Sequence, residues 1–123
     1  SWSRIENSRF PSSEQLGLVF QDWGIPTPAA LRQLKPMRNQ CTLIASGGIR
    51  TGIDMAKAVI LGASMCGIAG PFLKYASESA DRVIQYINKL KTEFQITLFL
   101  LGQSSVSDLK CNETLIVSDP FKT

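Results

Sequence analysis

The chain has 123 residues, 44% of them hydrophobic, a formal net charge of +3 and no histidine. That balance suits a globular domain with a real core and excludes a wholly disordered chain, the usual zinc sites and every His-dependent triad within this polypeptide. No apolar stretch approaches the roughly 18 residues of a membrane span, and the modest charge forms no basic stripe interleaved with aromatics, so neither a membrane nor a nucleic acid is an expected partner.

The polar start Ser1-Trp2-Ser3-Arg4 is no signal peptide, and the chain reads as cytoplasmic. It also lacks an initiator methionine, so it is expected to be a piece of something longer. Cys41, Cys66 and Cys111 are odd in number and far apart, and two sit in apolar runs. Buried thiols are therefore expected, not disulfides or a metal cluster.

From Ser1 to Thr27 the sequence is loop-like but carries Trp2, Arg4, Glu6, Arg9 and Trp23, and it ends in the turn Asp22-Trp23-Gly24-Ile25-Pro26-Thr27. A short helix from about Trp2 to Asn7 would set Trp2 and Glu6 four apart on one face, an aromatic wall beside a carboxylate. On composition alone the plainer reading is a surface helix whose tryptophan packs on the core and whose glutamate meets Arg9 or solvent.

Thr27-Pro28 marks a helix start, a capping hydroxyl followed by proline at the first helical position, with Pro36 ending the helix after about Leu34. Cys41-Thr42-Leu43-Ile44-Ala45 is almost all β-branched or apolar, the pattern of a strand buried on both faces in a parallel sheet. Gly47 and Gly48 end it. Ile53, Ala56, Val59 and Ile60 then recur at helical spacing until Gly62 closes the helix. Met65 to Ala69 is a second short apolar strand, ended by Gly70-Pro71. From Ser77 a long amphipathic helix carries the stripe Ala80, Val83, Ile84, Ile87, Leu90, Phe94 and Leu98, and Gly102 stops it. Ser105 to Leu109 reads as a short capped turn of helix, and Asp119-Pro120 begins a tail expected to fray.

The centre of this pattern is Ser46-Gly47-Gly48-Ile49-Arg50. The glycines permit positive φ and close backbone approach, and the amides after them belong to the first turn of a helix, where they lack intrahelical partners. With the helix dipole behind them they form an anion site, to which Arg50 adds a planar cationic fork. A lone Gly-Gly after a strand is otherwise a tight turn. The repetition of strand, glycine turn and helix is the signature of β/α units, and a right-handed crossover brings Ser46-Gly47-Gly48 and Ala69-Gly70 to the same sheet edge. Loops after the last two strands of (β/α)₈ barrels frequently bind phosphate, which puts a phosphate clamp ahead of the tight turn.

These residues also resemble a known family. Ser1-Trp2-Ser3-Arg4-Ile5-Glu6, Asp22-Trp23-Gly24-Ile25-Pro26-Thr27, the block from Ala45 to Ala58, and Gly67-Ile68-Ala69-Gly70-Pro71-Phe72-Leu73-Lys74 look like the C-terminal third of type 2 isopentenyl-diphosphate isomerase. The glycine-arginine block alone is shared by several FMN-dependent barrels; Ser-Trp-x-x-Ile-Glu with Trp-Gly-Ile-Pro-Thr is more particular. The resemblance implies an α/β TIM (β/α)₈ barrel, of which residues 1–123 form the C-terminal part, from the loop after strand 6 through units 7 and 8. A complete barrel takes about 250 residues, so the N-terminal part of that single FMN-binding domain would be cleaved away or lie on another chain.

The family interconverts isopentenyl and dimethylallyl diphosphate with reduced FMN, for which NAD(P)H is the reductant, and Mg²⁺. By resemblance, Gly47, Gly48, Ile49 and Arg50 hold the FMN phosphate with Ala69 and Gly70 opposite, and Ser1 adjoins a further flavin contact. Trp2 lines the isoprenoid pocket, and Glu6 is a carboxylate near the reacting end. The Mg²⁺ ligands would lie outside this chain, and the whole would be a homo-oligomer. The family favours Ala-Leu-Pro where this chain has Ala69-Gly70-Pro71, a change a backbone contact tolerates. Two rivals stand beside this reading. A 2-hydroxy-acid oxidase-like flavin barrel would need a histidine base that this chain lacks, and a non-catalytic half-barrel module would complete itself by dimerising.

Overall fold

The computed structural model describes residues 19–20 and 22–117. Ser1, Trp2, Glu6, the helix expected over Trp2–Asn7 and the tail from Asp119 lie outside those residues.

Helix α1, Thr27–Gln33, begins where the sequence places it, but its N-cap is Pro26 and no side chain caps it. Thr27 is the first helical residue and not the capping one; its hydroxyl is committed elsewhere. Pro36 is taken up in a 3₁₀ turn, Lys35–Met37, which ends the helical run. Strand β1 is Ile44–Ser46, later and shorter than expected, and it pairs in parallel with β2, Met65–Gly67. Ile44 lies opposite Met65, Ala45 opposite Cys66, and Ser46 opposite Gly67. Between them runs α2, Gly52–Ile60, closed by Gly62 at φ +109, so the unit is a β/α/β crossover.

The expectation of a strand buried on both faces is not met. Ala45 is 2% exposed, while Ile44 is 61% and Met65 60% exposed. Successive strand residues point to opposite faces. Ala45 therefore packs against Leu31 of α1, Ile49, and Ala58 of α2, whereas Ile44 and Met65 stand on a face that no described residue covers.

Gly70-Pro71 does not simply end β2; it opens a further helix, α3, Gly70–Ala76, because proline in a first helical turn has no N–H to lose. Helix α4, Ala80–Leu100, is capped by the Ser79 hydroxyl, which accepts from the Arg82 amide. Its buried stripe is rotated from the expected one: Tyr86 and Leu90 are buried, while Ile84 and Ile87 are 54% and 41% exposed. Val83, Tyr86, Leu90, Phe94 and Leu98 are the apolar and aromatic residues turned inward, with Glu93 and Thr97 beside them. The last elements are α5, Val106–Leu109, with the capping box of Ser105 and Asp108, and a 3₁₀ turn at Glu113–Leu115. Leu109 is fully buried against Ala56, Val59 and Ile60 of α2, closing a second small core shared with Phe94 and Leu98 of α4.

All three cysteines are free thiols, as expected, but Cys41 is exposed, and Cys66 and Cys111 are only half-buried. Cys41 precedes the strand instead of lying in it, which removes the reason for burying it. Among the described residues no helix is long and apolar enough to cross a membrane.

Candidate functional site

The parallel register brings the C-terminal ends of β1 and β2 to one edge, and the two turns that leave them face each other across a cleft of about 210 Å³. Residues 46–50 form one wall and residues 67–71 the other. Gly47, Gly48, Ile49, Arg50, Ala69 and Gly70, the residues expected to hold a phosphate, all line it. The Ile49 side chain is buried in the core beside Ala45 and Leu61, so this residue offers the cleft its backbone.

Gly47 has φ +109 and Gly48 φ +75, left-handed values that L side chains rarely adopt. A Cβ at Gly48 or Gly70 would meet nothing within 4 Å, so both walls leave their backbone open to a ligand.

The donors differ from those read in the sequence. The amides at the start of α2 are not free. Asp54 Oδ2 accepts from the Arg50 and Thr51 amides, each at 3.1 Å, and from the Thr51 hydroxyl at 2.9 Å. The Thr51 hydroxyl in turn accepts from the Asp54 amide at 3.1 Å, completing a capping box. The Gly52 amide donates to Glu93 Oε2 of α4 at 2.8 Å. The Asp54 and Glu93 carboxylates thus take the Arg50, Thr51 and Gly52 amides at the start of α2 and also complement its dipole. What remains for an anion is the pair of amides at Gly48 and Ile49, which bond to no described residue, the Gly70 amide opposite, and the exposed Arg50 guanidinium.

Partial burial pushes the Asp54 carboxyl upward, but the bonds from Arg50 and Thr51, together with nearby Lys57, outweigh it and hold the group below the ordinary carboxylate range. The carboxylate is therefore ionised throughout the neutral range. Tyr86 shows the opposite direction: burial, then the neighbouring Tyr75 and Glu93, push its phenol up, and it stays a donor. Its hydroxyl donates to the Arg50 carbonyl at 2.9 Å, and its ring lies 5.0 Å from Phe72 and 4.7 Å from Tyr75 of α3.

Gly52 lets α2 approach α4 closely. A Cβ there would lie within 2.6 Å of Glu93 Cβ and closer still to the Phe94 amide. On the other side of the turn, Thr27 Oγ1 donates to the Gly47 carbonyl at 2.8 Å and lies 3.3 Å from the Ser46 carbonyl. Thr27, Asp54, Tyr86 and Glu93 were not among the site residues expected from the sequence. For Glu93 one signal was available, an acidic residue left on the inward side of α4 between Leu90 and Phe94. Among the described residues no group of three His, Cys, Asp or Glu side chains could hold a metal ion.

A family model described as FMN-dependent dehydrogenase matches residues 22–116, a span that contains both turns and the whole crossover. The chain belongs to the FMN-dependent dehydrogenase family. Its similarity to curated isopentenyl-diphosphate delta-isomerases bears out the resemblance read from the sequence. That of Hydrogenovibrio crunogenus is 52% identical over 119 residues, 95% of this chain and 35% of the relative. That of Paracoccus zeaxanthinifaciens is 53% identical over 121 residues, 94% of this chain and 35% of the relative. The Halobacterium salinarum enzyme is 40% identical over 115 residues, 89% of this chain and 31% of the relative. This member of the family therefore spans about a third of the length of the curated relatives it matches. Among solved structures, an arginine-to-lysine mutant of flavocytochrome b2 is similar at a TM-score of 0.59 and 29% identity, over 76% of this chain and 26% of that one. Family and structural neighbour together make the β/α units described above part of a TIM-barrel fold. The cleft suits the phosphate of the cofactor that names the family: amides and a guanidinium surround an open space, and no carboxylate among the described residues lines it.

Proposed function

We propose that the chain is the C-terminal part of a barrel that isomerises isopentenyl diphosphate to dimethylallyl diphosphate with reduced FMN and Mg²⁺. The observation that carries this reading is the two-turn cleft, with Gly48, Ile49 and Arg50 facing Ala69 and Gly70, in a chain 52–53% identical to isomerases of that name over almost its whole length.

In this reading the Arg50 guanidinium takes the FMN phosphate in a two-pronged grip, and the Gly48 and Ile49 amides complete its hydrogen bonds, with the backbone of Ala69 and Gly70 closing the far side. Reduced FMN, when bound, supplies the acid–base group near its N5 for proton transfer at the substrate's carbon–carbon double bond. Ser1 adjoins a further flavin contact, Trp2 walls the isoprenoid pocket with an apolar, electron-rich ring, and Glu6 holds or relays a proton at the reacting end. The Mg²⁺ ligands and the remaining wall of the flavin site belong to a part of the barrel outside this sequence. That part covers Ile44 and Met65. NAD(P)H reduces the flavin, and the whole works as a cytoplasmic homo-oligomer.

The likeness to flavocytochrome b2 supports a second reading, oxidation of a 2-hydroxy acid, but at 29% identity it is the weaker likeness, and the histidine base for that chemistry is absent from this chain. The full-length protein, supplied with FMN, NAD(P)H and Mg²⁺ under anaerobic conditions, is expected to convert isopentenyl diphosphate to dimethylallyl diphosphate. No conversion, together with flavin reduction by a 2-hydroxy acid, would overturn the isomerase reading in favour of the oxidase.

A further inference from the structure

The turn Asp22 to Thr27 stands out in the sequence and has no part in the cleft, yet it ends on a side chain that hydrogen-bonds the glycine turn from behind. Thr27 does not line the cleft; it lines a separate space of about 100 Å³ on the other side of Gly47 and Gly48, with Pro28, Leu31 and Lys57. Its hydroxyl donates to the Gly47 carbonyl at 2.8 Å. The peptide joining Gly47 to Gly48 is trans, so its C=O and N–H point opposite ways in one plane. A carbonyl held toward Thr27 therefore turns the Gly48 N–H away from it, into the cleft. A Cβ at Gly47 would come within 3.1 Å of Thr27 Oγ1, so Gly47 is a glycine for the sake of this contact as well as for its φ of +109.

We propose that Thr27 is a positioning residue for the cofactor phosphate: by fixing the Gly47 carbonyl it presets the Gly48 amide as a phosphate donor. The proposal rests on the reading that the cleft takes the FMN phosphate. Without the hydroxyl, the Gly47–Gly48 peptide is free to rotate, and the amide must be reordered each time the phosphate binds. In this reading the peptide meets only the phosphate, so the effect is expected on phosphate binding alone.

The test compares FMN with riboflavin, which lacks the phosphate, by titrating each flavin onto the full-length apoprotein and reading fluorescence quenching. Wild type is expected to prefer FMN, Thr27→Val to lose FMN affinity by about tenfold with riboflavin binding unchanged, and Thr27→Ser, which keeps the hydroxyl, to retain it. Unchanged FMN affinity in Thr27→Val, or an equal loss for both flavins, would overturn the positioning role, as would a Thr27→Ser variant as weak as Thr27→Val. A wild type with no preference for FMN over riboflavin would overturn the phosphate reading itself, and this proposal with it.

Discussion

Single residues around the cleft divide into those that line it and those that hold its backbone from outside it. Arg50 brings a permanent positive charge to the cleft, and a charge-assisted pair with phosphate contributes more than a neutral hydrogen bond. Arg50→Ala is expected to weaken FMN binding to the full-length protein at least tenfold, read by flavin fluorescence; unchanged affinity would move the phosphate elsewhere. Asp54 works the other way, from within the helix. It takes up the Arg50 and Thr51 amides, so Asp54→Asn is expected to cost about 1 kcal/mol through loss of the charged cap. The pH dependence follows in sign. The folded carboxyl titrates below its ordinary value of 3.8, so its contribution is fully present above that value and is lost as pH falls through the lower folded one. The difference in melting temperature between wild type and Asp54→Asn should therefore be constant from pH 5 to 7 and shrink below about pH 4. A difference that grows on acidification would contradict the assignment.

At the scale of elements, the crossover was legible because its signals are local: short apolar runs, glycines that punctuate them, and a 3.6-residue period between Ile53 and Ile60. The meeting of the Gly47–Arg50 and Ala69–Gly70 turns followed from the handedness of the connection. What the sequence hid is non-local. The partner of the Gly52 amide is Glu93, 41 positions away, and the partner of the Gly47 carbonyl is Thr27, 20 positions before it. A capping rule applied along the chain gives the Thr27 hydroxyl to its own helix and cannot reach Glu93, whereas the Thr51-Gly52-Ile53-Asp54 spacing of a capping box is local and was open to such a rule. The register of α4 failed for a related reason. Ile84 and Ile87 are as apolar as a core position requires, but Tyr86 buries a larger ring and also satisfies its hydroxyl at the Arg50 carbonyl. Packing between elements decided it.

The same interface makes a prediction. Gly52 leaves no room for a methyl group against the backbone of Glu93 and Phe94, so Gly52→Ala must push α4 away and break the Glu93 bond. It is expected to cost about 1–3 kcal/mol and to lower the melting temperature, although alanine is the better helix former; a stabilised variant would mean that α2 and α4 are not in contact.

As a whole, the molecule carries its cleft at one edge of a sheet that has two strands among the described residues. Ile44 and Met65 on the open face of the sheet, with Phe99 and Leu100 at the end of α4, are large apolar side chains in the open, and burying each is worth about 1.5–3 kcal/mol. An open parallel pair with such a face associates when it can. Light scattering on isolated 1–123 is therefore expected to find oligomers or aggregates, and a stable, well-folded monomer would argue that this face needs no cover. The chain spans about a third of its curated relatives, and a barrel of about 250 residues would supply both the cover and the rest of the flavin site.

The phosphate of FMN is expected between the two turns, on the Gly48 and Ile49 amides and Arg50, and not at the start of α2, where Asp54 takes the Thr51 amide and Glu93 the Gly52 amide. A crystal structure of the full-length protein with FMN tests this directly. Phosphate oxygens are expected within hydrogen-bond distance of the Gly48 and Ile49 amides and the Arg50 guanidinium, with the Asp54 and Glu93 bonds intact. A phosphate seated on the Thr51 and Gly52 amides, with those carboxylates displaced, would contradict it.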